Sequence, residues 1–443
     1  MDVLTAARAQ MEVSLAFHMV FAALGIGLPL LMLIAEGLWL RTGREHYRRL
    51  ARKWAKATAL TFAIGAVSGT ALSFELGLLW PRFMALAGGV IGPAFALEGY
   101  AFFIEAIFLG LYLYGWERLS PRAHWLTGIP VALSGLLSGI LVVGANAWMQ
   151  SPVGFEHVDL RLVSADPLAA FRAPMWVPML IHSSLSCYIA TGFAVAGVYA
   201  AGMLRGRRDA YHASALGIAL AVGGAAAVLQ PISGDLSART TARYQPAKLA
   251  AMEAHFETGS HAPMLIGGVP DEATRTVRWG LRIPGGLSLL VGHSTGTVVR
   301  GLEEFPEEQW PNVLITHAAF QVMVGCGFAL LGLTAWFWIA RRRGTAERRV
   351  LLRALLIASP LGFLALEAGW VVTEVGRQPW VIYEVMRTAE GVTPVPDVPL
   401  TFMAFTVLYL ALGAVLVYLL RRLADPPPSP SSPTQSPADA LVG

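Results

Sequence analysis

Nine long apolar runs constrain the fold of this chain more than any other feature. Each run is roughly 20 residues or longer, which is the length that a helix needs to cross the hydrocarbon core of a bilayer. Because backbone N–H and C=O groups find no water in lipid, each run is expected to be an α-helix. The runs are residues 13–40, 57–80, 90–116, 125–149, 174–204, 210–234, 312–340, 350–373 and 399–420. We therefore predict an all-α, polytopic membrane protein with nine transmembrane helices.

The distribution of Lys and Arg predicts the orientation of these spans. Twenty of the 33 basic residues follow spans one, three, five, seven and nine, in loops or at helix ends. Cytoplasmic loops carry the excess of positive charge in membrane proteins. The N-terminus is therefore predicted outside and the C-terminus in the cytoplasm. No loop interleaves basic and aromatic residues as a nucleic-acid platform does, so the net charge of +4 does not indicate nucleic-acid binding.

Two regions outside the spans differ in composition from the rest. We predict a transmembrane domain over residues 1–425, with its longest loop, 235–311, on the outer side. Within that loop, Gln245 to Gly259 is predicted to form a short helix, since Pro246 suits a first helical turn and Gly259 a helix end. Residues 426–443 are rich in Pro and Ser, which predicts a disordered cytoplasmic tail.

Several polar side chains and one thioether lie in one half of the predicted bilayer. Ionisable residues at membrane depth are costly, so each is a functional-site hypothesis by default. These residues are His18, Glu98, Glu105, His182, Met323 and Glu374. Taken singly, a membrane His is more often a helix–helix hydrogen-bonding residue and a Met is ordinary core packing. Glu98 and Glu105 could equally serve a transporter's proton relay, so spacing alone indicates a membrane redox or proton-linked protein.

The combination of donor atoms favours one class of cofactor. Imidazole, thioether and carboxylate at similar depth fit haem iron better than a hard cation such as Mg²⁺, which prefers oxygen ligands alone. His with Met gives a six-coordinate, low-spin haem suited to electron transfer. A haem with one protein ligand keeps a position open for O₂.

A stretch at the end of span eight narrows these alternatives. The segment Glu367-Ala-Gly-Trp-Val-Val-Thr-Glu374-Val-Gly-Arg377-Gln-Pro-Trp380 resembles the signature of subunit I of the cytochrome bd-type quinol oxidases, in which GRQPW follows a haem-ligating Glu. Further matching stretches follow in order and cover essentially the whole chain except the tail. They are Ala101–Glu105, Asn146–Pro152, Lys248–Glu253 and Met323–Gly327.

This resemblance implies three haems and their ligands. His182 and Met323 match the axial ligands of a low-spin haem b. His18, Glu98 and Glu374 match the ligands of two high-spin haems, one haem b and one haem d or a further haem b.

The resemblance also implies roles for two residues beside these ligands and for two in the outer loop. Trp370 is placed at a cofactor, and Arg377 would compensate a propionate or carboxylate charge. Lys248 and Glu253 match a pair associated with quinol binding, in a loop as short as that of the short-loop branch. An ammonium can donate to a quinone oxygen, and a carboxylate can take the quinol proton. Without the resemblance, the two would be a solvated surface pair.

The implied function is a quinol:O₂ oxidoreductase of the bacterial cytoplasmic membrane. Quinol would be oxidised outside, and O₂ reduced to water with cytoplasmic protons carried by Glu105 and Ser138. Partners would be subunit II, further small single-span subunits, quinol, O₂ and membrane lipid. The alternatives are a haem electron carrier, a divergent oxidase without quinol oxidation, and a proton-coupled transporter. The Glu374–Trp380 segment speaks against the carrier and the transporter, and the outer-loop pair against loss of quinol oxidation.

Three positions depart from the family pattern. Glu98 and Glu105 are seven residues apart, one fewer than in better-known members, so either could ligate; we expect Glu98 to ligate and Glu105 to carry protons. Gln321 stands where relatives often carry Arg. Glu75, in Ser-Phe-Glu, stands where relatives have Gln.

Overall fold

The computed structural model describes residues 1–424 and is dominated by long helices. Within these residues, nine helical spans are long and apolar enough to cross a membrane, which confirms the predicted number. The helices that form eight of them are α1 (Val3–Thr42), α2 (Glu45–Leu79), α3 (Pro81–Tyr114), α4 (Pro121–Gln150), α5 (Trp176–Leu204), α6 (Ala210–Tyr244), α9 (Val313–Arg342) and α13 (Val398–Ala424). Two short helices, α7 (Pro246–Met252) and α8 (Gly286–Gly292), precede α9. The predicted tail, 426–443, lies outside the described residues.

The remaining span is interrupted. It consists of α10 (Arg349–Ala358) and α11 (Leu361–Val375), where the sequence predicts one run over 350–373. The interruption falls at Ser359 and Pro360. Pro lacks an N–H and its ring clashes with the preceding turn, so the helix ends before it and a new one begins after it.

Spanning helices are joined alternately at two faces of the bundle. We call the face that holds the start of α1 the N-terminal face and the other the opposite face. At the opposite face, α2 begins at Glu45, twelve residues before the predicted start at 57, so the basic segment after α1 is helical rather than a loop. At the N-terminal face, α6 continues to Tyr244, so the connection to α9 begins ten residues later than the predicted 235.

Small residues let the helices approach closely. A Cβ at Gly192 of α5 would lie 2.7 Å from the Cα of Gly223 in α6, and a Cβ at Gly362 of α11 would lie 2.6 Å from the Cα of Ala190. Close backbone approach at small residues is the usual means of helix association in a membrane, where burial of apolar surface drives little. These contacts fix α5 between α6 and α11.

The N-terminal face also carries short strands that the all-α prediction omitted. Each of the four sheets in residues 1–424 has two antiparallel strands. The pairs are β1 (Phe155–Val158) with β2 (Arg161–Ala165), β3 (Met264–Ile266) with β6 (Leu281–Ile283), β4 (Val269–Asp271) with β5 (Thr276–Arg278), and β7 (Trp380–Ile382) with β8 (Met386–Arg387). A four-residue helix, α12 (Thr388–Gly391), follows β8.

The predicted helix of the long connection is shorter than expected. It ends at Met252 rather than near Gly259, and Gly259 instead pairs with Val299 in an isolated bridge. All six residues from Ala247 to Met252 are buried. Apart from Lys248 the helix is apolar on every side, which is typical of a buried helix, and the lysine is what made it resemble a surface helix.

Candidate functional site

His182 of α5 is held in one tautomer by a serine. Its Nδ1 lies 2.9 Å from Ser233 Oγ, and that hydroxyl donates to the carbonyl of Gln230 at 2.8 Å. Since the serine proton is used on the carbonyl, Nδ1–H of His182 must be the donor of the first bond. Nε2 therefore keeps its lone pair, which the Gln230 amide faces at 3.1 Å. A ring fixed in this tautomer, whose Nε2 lone pair is available once the Gln230 amide turns away, is the state in which His ligates iron.

His18 of α1 repeats this arrangement. Its Nδ1 lies 2.9 Å from Ser68 Oγ of α2, and Ser68 donates to the carbonyl of Ile64 at 3.1 Å. The Nε2 of His18 thus also keeps its lone pair. Gly69 makes room for the ring, because a Cβ there would lie 3.0 Å from His18 Cε1. Two histidines on different helices, each oriented by a serine, fit a pair of haem ligands.

Met323 of α9 sits against a glycine of α11. A Cβ at Gly369 would lie 3.1 Å from Met323 Sδ, so only a residue without a side chain leaves the thioether this space. The next residue, Trp370, packs against an apolar cluster that contains Cys187, and Met19, which follows His18 in the chain, packs against the same cluster. An apolar surrounding with a few placed donors fits a haem pocket.

The two carboxylates of α3 face α4. Ser138 donates to Glu98 at 2.8 Å. Glu105 is 5% exposed, and its Oε1 has no hydrogen-bond partner among the described residues. Gly135 of α4 lies beside it, since a Cβ there would be 3.2 Å from Glu105 Oε2. Glu98, nearer the N-terminal face, is therefore hydrogen-bonded, whereas Glu105, deeper in the bundle, has an oxygen without a partner in the described chain.

Glu374, at the end of α11, is held on both oxygens. Asn146 of α4 donates to one at 2.6 Å, and Arg377 donates to the other at 2.5 Å. Arg377 is 3% exposed, and its NH1 has no partner in residues 1–424. The Arg377 guanidinium thus pairs with the Glu374 carboxylate and has donors left for a further acceptor.

Lys248 of α7 is buried in the same network. Its ammonium donates to Gln150 Oε1 at 2.5 Å and to the carbonyl of Thr373 at 3.1 Å. Burial, and next the Arg377 charge, hold the pKa of Lys248 well below its usual range, while Glu374 partly offsets them. The alternative of a solvated surface lysine is therefore wrong.

Glu253 is the C-terminal cap residue of α7, and its side chain is directed at β3 rather than at the Lys248 network. It is 1% exposed and lies beside the backbone N–H of Leu265 in β3, while its Oε2 has no partner in the described chain. Burial raises the pKa of this carboxyl to about 7, and the Leu265 N–H partly opposes the rise. The side chains of Lys248 and Glu253 thus contact different neighbours of α7, and neither side chain is solvated.

The departure at Gln321 has a structural role. Its amide donates to the carbonyl of Leu265 at 3.1 Å and accepts from Gly267 N–H at 2.9 Å. Leu265 therefore connects Glu253, through its N–H, with Gln321, two residues before Met323. His317 adds two contacts, to the carbonyls of Met252 and Gly267. These bonds fix the long connection to the first turns of α9.

Sequence reasoning missed the residues that orient the candidate ligands. Nothing in the sequence pattern marked these residues as functional, because Ser and Gln are common on polar helix faces. They are Ser68, Ser233, Gln230 and Gln245. Gln245 is fully buried and donates to both the carbonyl and the side chain of Gln150. No group of three or more His, Cys, Asp or Glu within residues 1–424 converges as a bare metal-ion site.

Comparison with known proteins identifies the family. The family described as cytochrome bd terminal oxidase subunit I matches residues 6–428. A Bacillus subtilis protein named as a cytochrome bd menaquinol oxidase subunit I is 38% identical, covering 95% of this chain and 96% of its own. The cytochrome bd ubiquinol oxidase subunit 1 of the same organism is 32% identical, covering 95% and 93%.

A solved structure agrees with the sequence comparisons. The bd oxidase from Geobacillus thermodenitrificans superimposes with a TM-score of 0.91 at 38% identity, covering 95% of this chain and 98% of that one. The resemblance noted in the sequence and the nine-span fold are thereby confirmed. The chain belongs to the family of cytochrome bd terminal oxidase subunit I, the haem-bearing, oxygen-reducing quinol oxidases of the bacterial cytoplasmic membrane.

Proposed function

We propose that this chain oxidises quinol at Lys248 and Glu253 on the N-terminal face, which is the outer face, and reduces O₂ to water with protons from the cytoplasm. Two quinols give two quinones, four protons and four electrons, and O₂ with four electrons and four protons gives two waters. The observation that carries the proposal is the burial of Lys248 beside Gln150, Glu374 and Arg377. Burying a lysine costs free energy, and buried side chains with strongly shifted pKa values cluster at functional sites.

Five side chains would hold haem iron. His182 and Met323 suit a low-spin haem b, and His18, Glu98 and Glu374 suit a high-spin haem b and a third haem, d or b. Haem, when bound, supplies the electron transfer and the oxygen chemistry that side chains lack. The protein orients the imidazoles through Ser68 and Ser233.

At the quinol site, the two side chains divide the work. The Lys248 ammonium or amine donates a hydrogen bond to a quinone oxygen, which fixes the ring. Glu253, when ionised, takes the proton from the quinol hydroxyl and releases it outside. Its free Oε2 is the atom that would accept this proton. Trp370 would pack against a haem, and Arg377 would compensate the charge of Glu374 or of a haem propionate.

Protons for water formation would enter from the opposite face. Glu105 and Glu98 are seven residues apart on one face of α3, or roughly 10 Å. Ser138 bonds to Glu98 and can pass a proton between donor and acceptor. Releasing protons outside and consuming them from inside separates charge without a pump. Moving one charge is worth roughly 2.3 kcal/mol per 100 mV.

Subunit I of the bd oxidases generally works with a subunit II, and α3 offers this chain a surface for it. Tyr100, Phe103, Ile107 and Tyr114 are 62–77% exposed and recur at helical spacing. We infer that this stripe contacts subunit II, with small single-span subunits and lipid covering other apolar faces.

Disulfide cross-linking from a cysteine that replaces Phe103 should link this chain to subunit II. A cysteine that reacts only with lipid-soluble thiol reagents, and never with subunit II, would contradict this contact.

An absorbance spectrum of the purified complex tests the proposal. The dithionite-reduced protein should show low-spin and high-spin haem, and CO should change only the high-spin bands. Quinol should drive O₂ uptake in the same preparation. A haem protein without CO-sensitive bands would instead be an electron carrier. A protein without haem would contradict the proposal and favour a proton-coupled transporter.

Replacing Met323 by Leu should convert the low-spin haem to high spin. The exchange nearly conserves volume, so the fold should survive with a loss below about 1.5 kcal/mol. Leu lacks the sulfur that would ligate, and His182 would remain as the only protein ligand of this haem. A reduced spectrum with an unchanged low-spin band would remove Met323 from the ligand set. Met403→Leu, on the exposed side of α13, is the matched control.

The pKa of Glu253 predicts a pH dependence of quinol oxidation. With a pKa of about 7, the carboxyl is mostly protonated below that pH and cannot accept the quinol proton. Quinol-driven O₂ uptake should therefore rise as pH increases through about 7. Glu253→Gln cannot titrate, so its lower rate should lack this rise. An identical pH profile with an artificial donor that bypasses the loop would place the titrating group elsewhere.

A further inference from the structure

A second buried pair of ionisable side chains lies near the opposite face, away from the candidate ligands. Glu36 of α1 is fully buried, and His124 of α4 is 2% exposed. Glu36 Oε1 lies 2.7 Å from His124 Nδ1. The proposed steps at the quinol site and along Glu105 and Glu98 do not use this pair. Buried ionisable groups inside a membrane protein are costly and usually functional.

The hydrogen bonds of His124 determine where its protons are. Its Nε2 lies 2.8 Å from the backbone carbonyl of Tyr112. A carbonyl cannot donate, so Nε2 carries a proton. The bond between Nδ1 and Glu36 Oε1 then requires one further proton, which either atom can hold. The pair is an imidazolium with a carboxylate or an imidazole with a carboxylic acid, and interchange moves one proton along a 2.7 Å contact.

One layer of side chains separates this pair from the surface. The Trp116 ring lies on His124 with 4.0 Å between centroids, and the guanidinium of Arg52 lies 4.9 Å from the Trp116 ring centre. Arg52 is in turn 3.4 Å from the exposed Glu117. The second oxygen of Glu36 is buried without a well-formed hydrogen bond in residues 1–424, and the Tyr112 hydroxyl lies beside the Glu36 side chain, so no strong donor prevents this oxygen from exchanging a proton.

The pair and the carboxylates of α3 follow one seam between α3 and α4. Tyr112 and Glu105 are seven residues apart and therefore share a face of α3, roughly 10 Å apart along the axis. On α4, a Cβ at Gly128 would lie 3.0 Å from the Tyr112 ring, and one at Gly135 would lie 3.2 Å from Glu105 Oε2. Ser138, one turn further, bonds to Glu98. The seam thus runs from His124 to Glu105 and on to Glu98.

A free carbonyl lies in the gap before Glu105. Pro29 of α1 has no N–H, so the carbonyl of Gly25 lacks its helical hydrogen bond. That oxygen would be 3.0 Å from a Cβ at Gly135, beside Glu105. A gap of roughly 10 Å is too long for direct transfer. A buried carbonyl acceptor next to glycine space can hold a bridging water.

We propose that Glu36 and His124 form the proton-loading site that supplies Glu105 from the opposite face, a role that rests on the oxidase function proposed above. With both nitrogens of His124 engaged, a proton that enters past Trp116 is taken up at Glu36 Oε2, while the shared proton stays between His124 Nδ1 and Glu36 Oε1. Glu36 Oε2 then releases the proton taken up there toward Glu105 through water. Glu36 and His124 touch no ligand candidate, so they act through Glu105.

Glu36→Gln tests this role with the contact preserved. The amide N–H can donate to His124 Nδ1, so the ring keeps its orientation, but the side chain cannot exchange a proton. In the holoenzyme, quinol-driven O₂ uptake should fall at least roughly tenfold. Anaerobic reduction by quinol and the haem spectrum should stay unchanged, because electron input needs no proton from this face. Proton uptake after an oxygen pulse, followed with a pH dye, should slow equally.

A second variant covers the case in which Glu36→Gln loses haem. His124→Ala should slow O₂ uptake, and added imidazole should restore it by filling the space under Trp116. The matched control is His212→Gln, since His212 pairs with Asp209 at 2.8 Å on the same face but off the seam. Unchanged uptake in Glu36→Gln, or a slow His124→Ala that imidazole does not rescue, would overturn the proposal. A wild-type complex without quinol-driven O₂ uptake would overturn the oxidase function and this role together.

Discussion

Replacing Lys248 by Met should reduce quinol-driven O₂ uptake by roughly ten- to a hundredfold while leaving the haem spectrum unchanged. A hydrogen bond from a charged donor contributes about 1.5–3 kcal/mol, and Met removes that donor while keeping an unbranched chain of similar length. Oxidation of an artificial electron donor that bypasses the outer connection should be nearly unaffected. The ratio of the two activities is the measurement.

The environment of Lys248 explains why this variant should still fold. Gln150 Oε1, which loses the ammonium, keeps the Gln245 amide at 2.8 Å. The aliphatic part of the side chain packs on Gly376, where a Cβ would lie 3.0 Å from Lys248 Cγ, and Met preserves that contact. Arg278→Met, at an exposed cation of β5 paired with Asp271, is the matched control. Equal loss of both activities would show a structural role for Lys248 instead.

The membrane fold was predictable because one physical constraint dominates it. Apolar runs of spanning length must be helical in lipid, and all nine were found from sequence. The ends were less predictable. Residues 45–56 are basic and polar, so hydropathy excluded them from span two, yet they continue α2 beyond the apolar region. The interruption at Pro360 was missed because the flanking runs are equally apolar.

The candidate site was likewise predictable in its ionisable residues and unpredictable in the contacts that orient them. His18, His182, Glu98 and Glu374 stood out because ionisable side chains are rare at membrane depth, and Met323 entered as a partner for them. Their roles required the family motifs, since a lone membrane His is usually a packing residue. The serines that orient the rings, and the burial of Lys248, depend on contacts between residues about 50 to 125 positions apart. Such contacts leave no local pattern in the chain.

Replacing Glu105 by Gln should abolish most turnover while every haem is retained. Gln has the shape of Glu but does not titrate, so a group that must accept and release protons loses its function. Loss of a general acid–base group typically costs about 10²–10⁴-fold in rate. Oε1 of Glu105 has no partner in the described chain, so the amide breaks no existing bond there. Oxygen uptake and haem content, measured on the same preparation, check this.

Glu98→Ala should give the opposite pattern. It removes a carboxylate bonded to Ser138 and proposed to ligate iron, so a high-spin haem should be lost or its spectrum perturbed. Glu75→Gln is the matched control: Glu75 is 2% exposed in α2 and bonded to Ser14 and Gln10, away from the α3–α4 seam. It should retain both haem and turnover.

The two variants together decide how the seven-residue spacing is used. If Glu105→Gln loses haem and Glu98→Ala keeps it, the roles are exchanged and the ligand is the deeper carboxylate. The contacts of the two side chains favour Glu98 as the ligand, because it has a single hydroxyl donor and one oxygen left for iron, whereas Glu105 lies beside the free carbonyl of Gly25. A carboxyl next to an unpaired carbonyl and a glycine can bind water on the side from which protons would arrive. Glu105 therefore has the surroundings of a relay, and Glu98 those of a ligand.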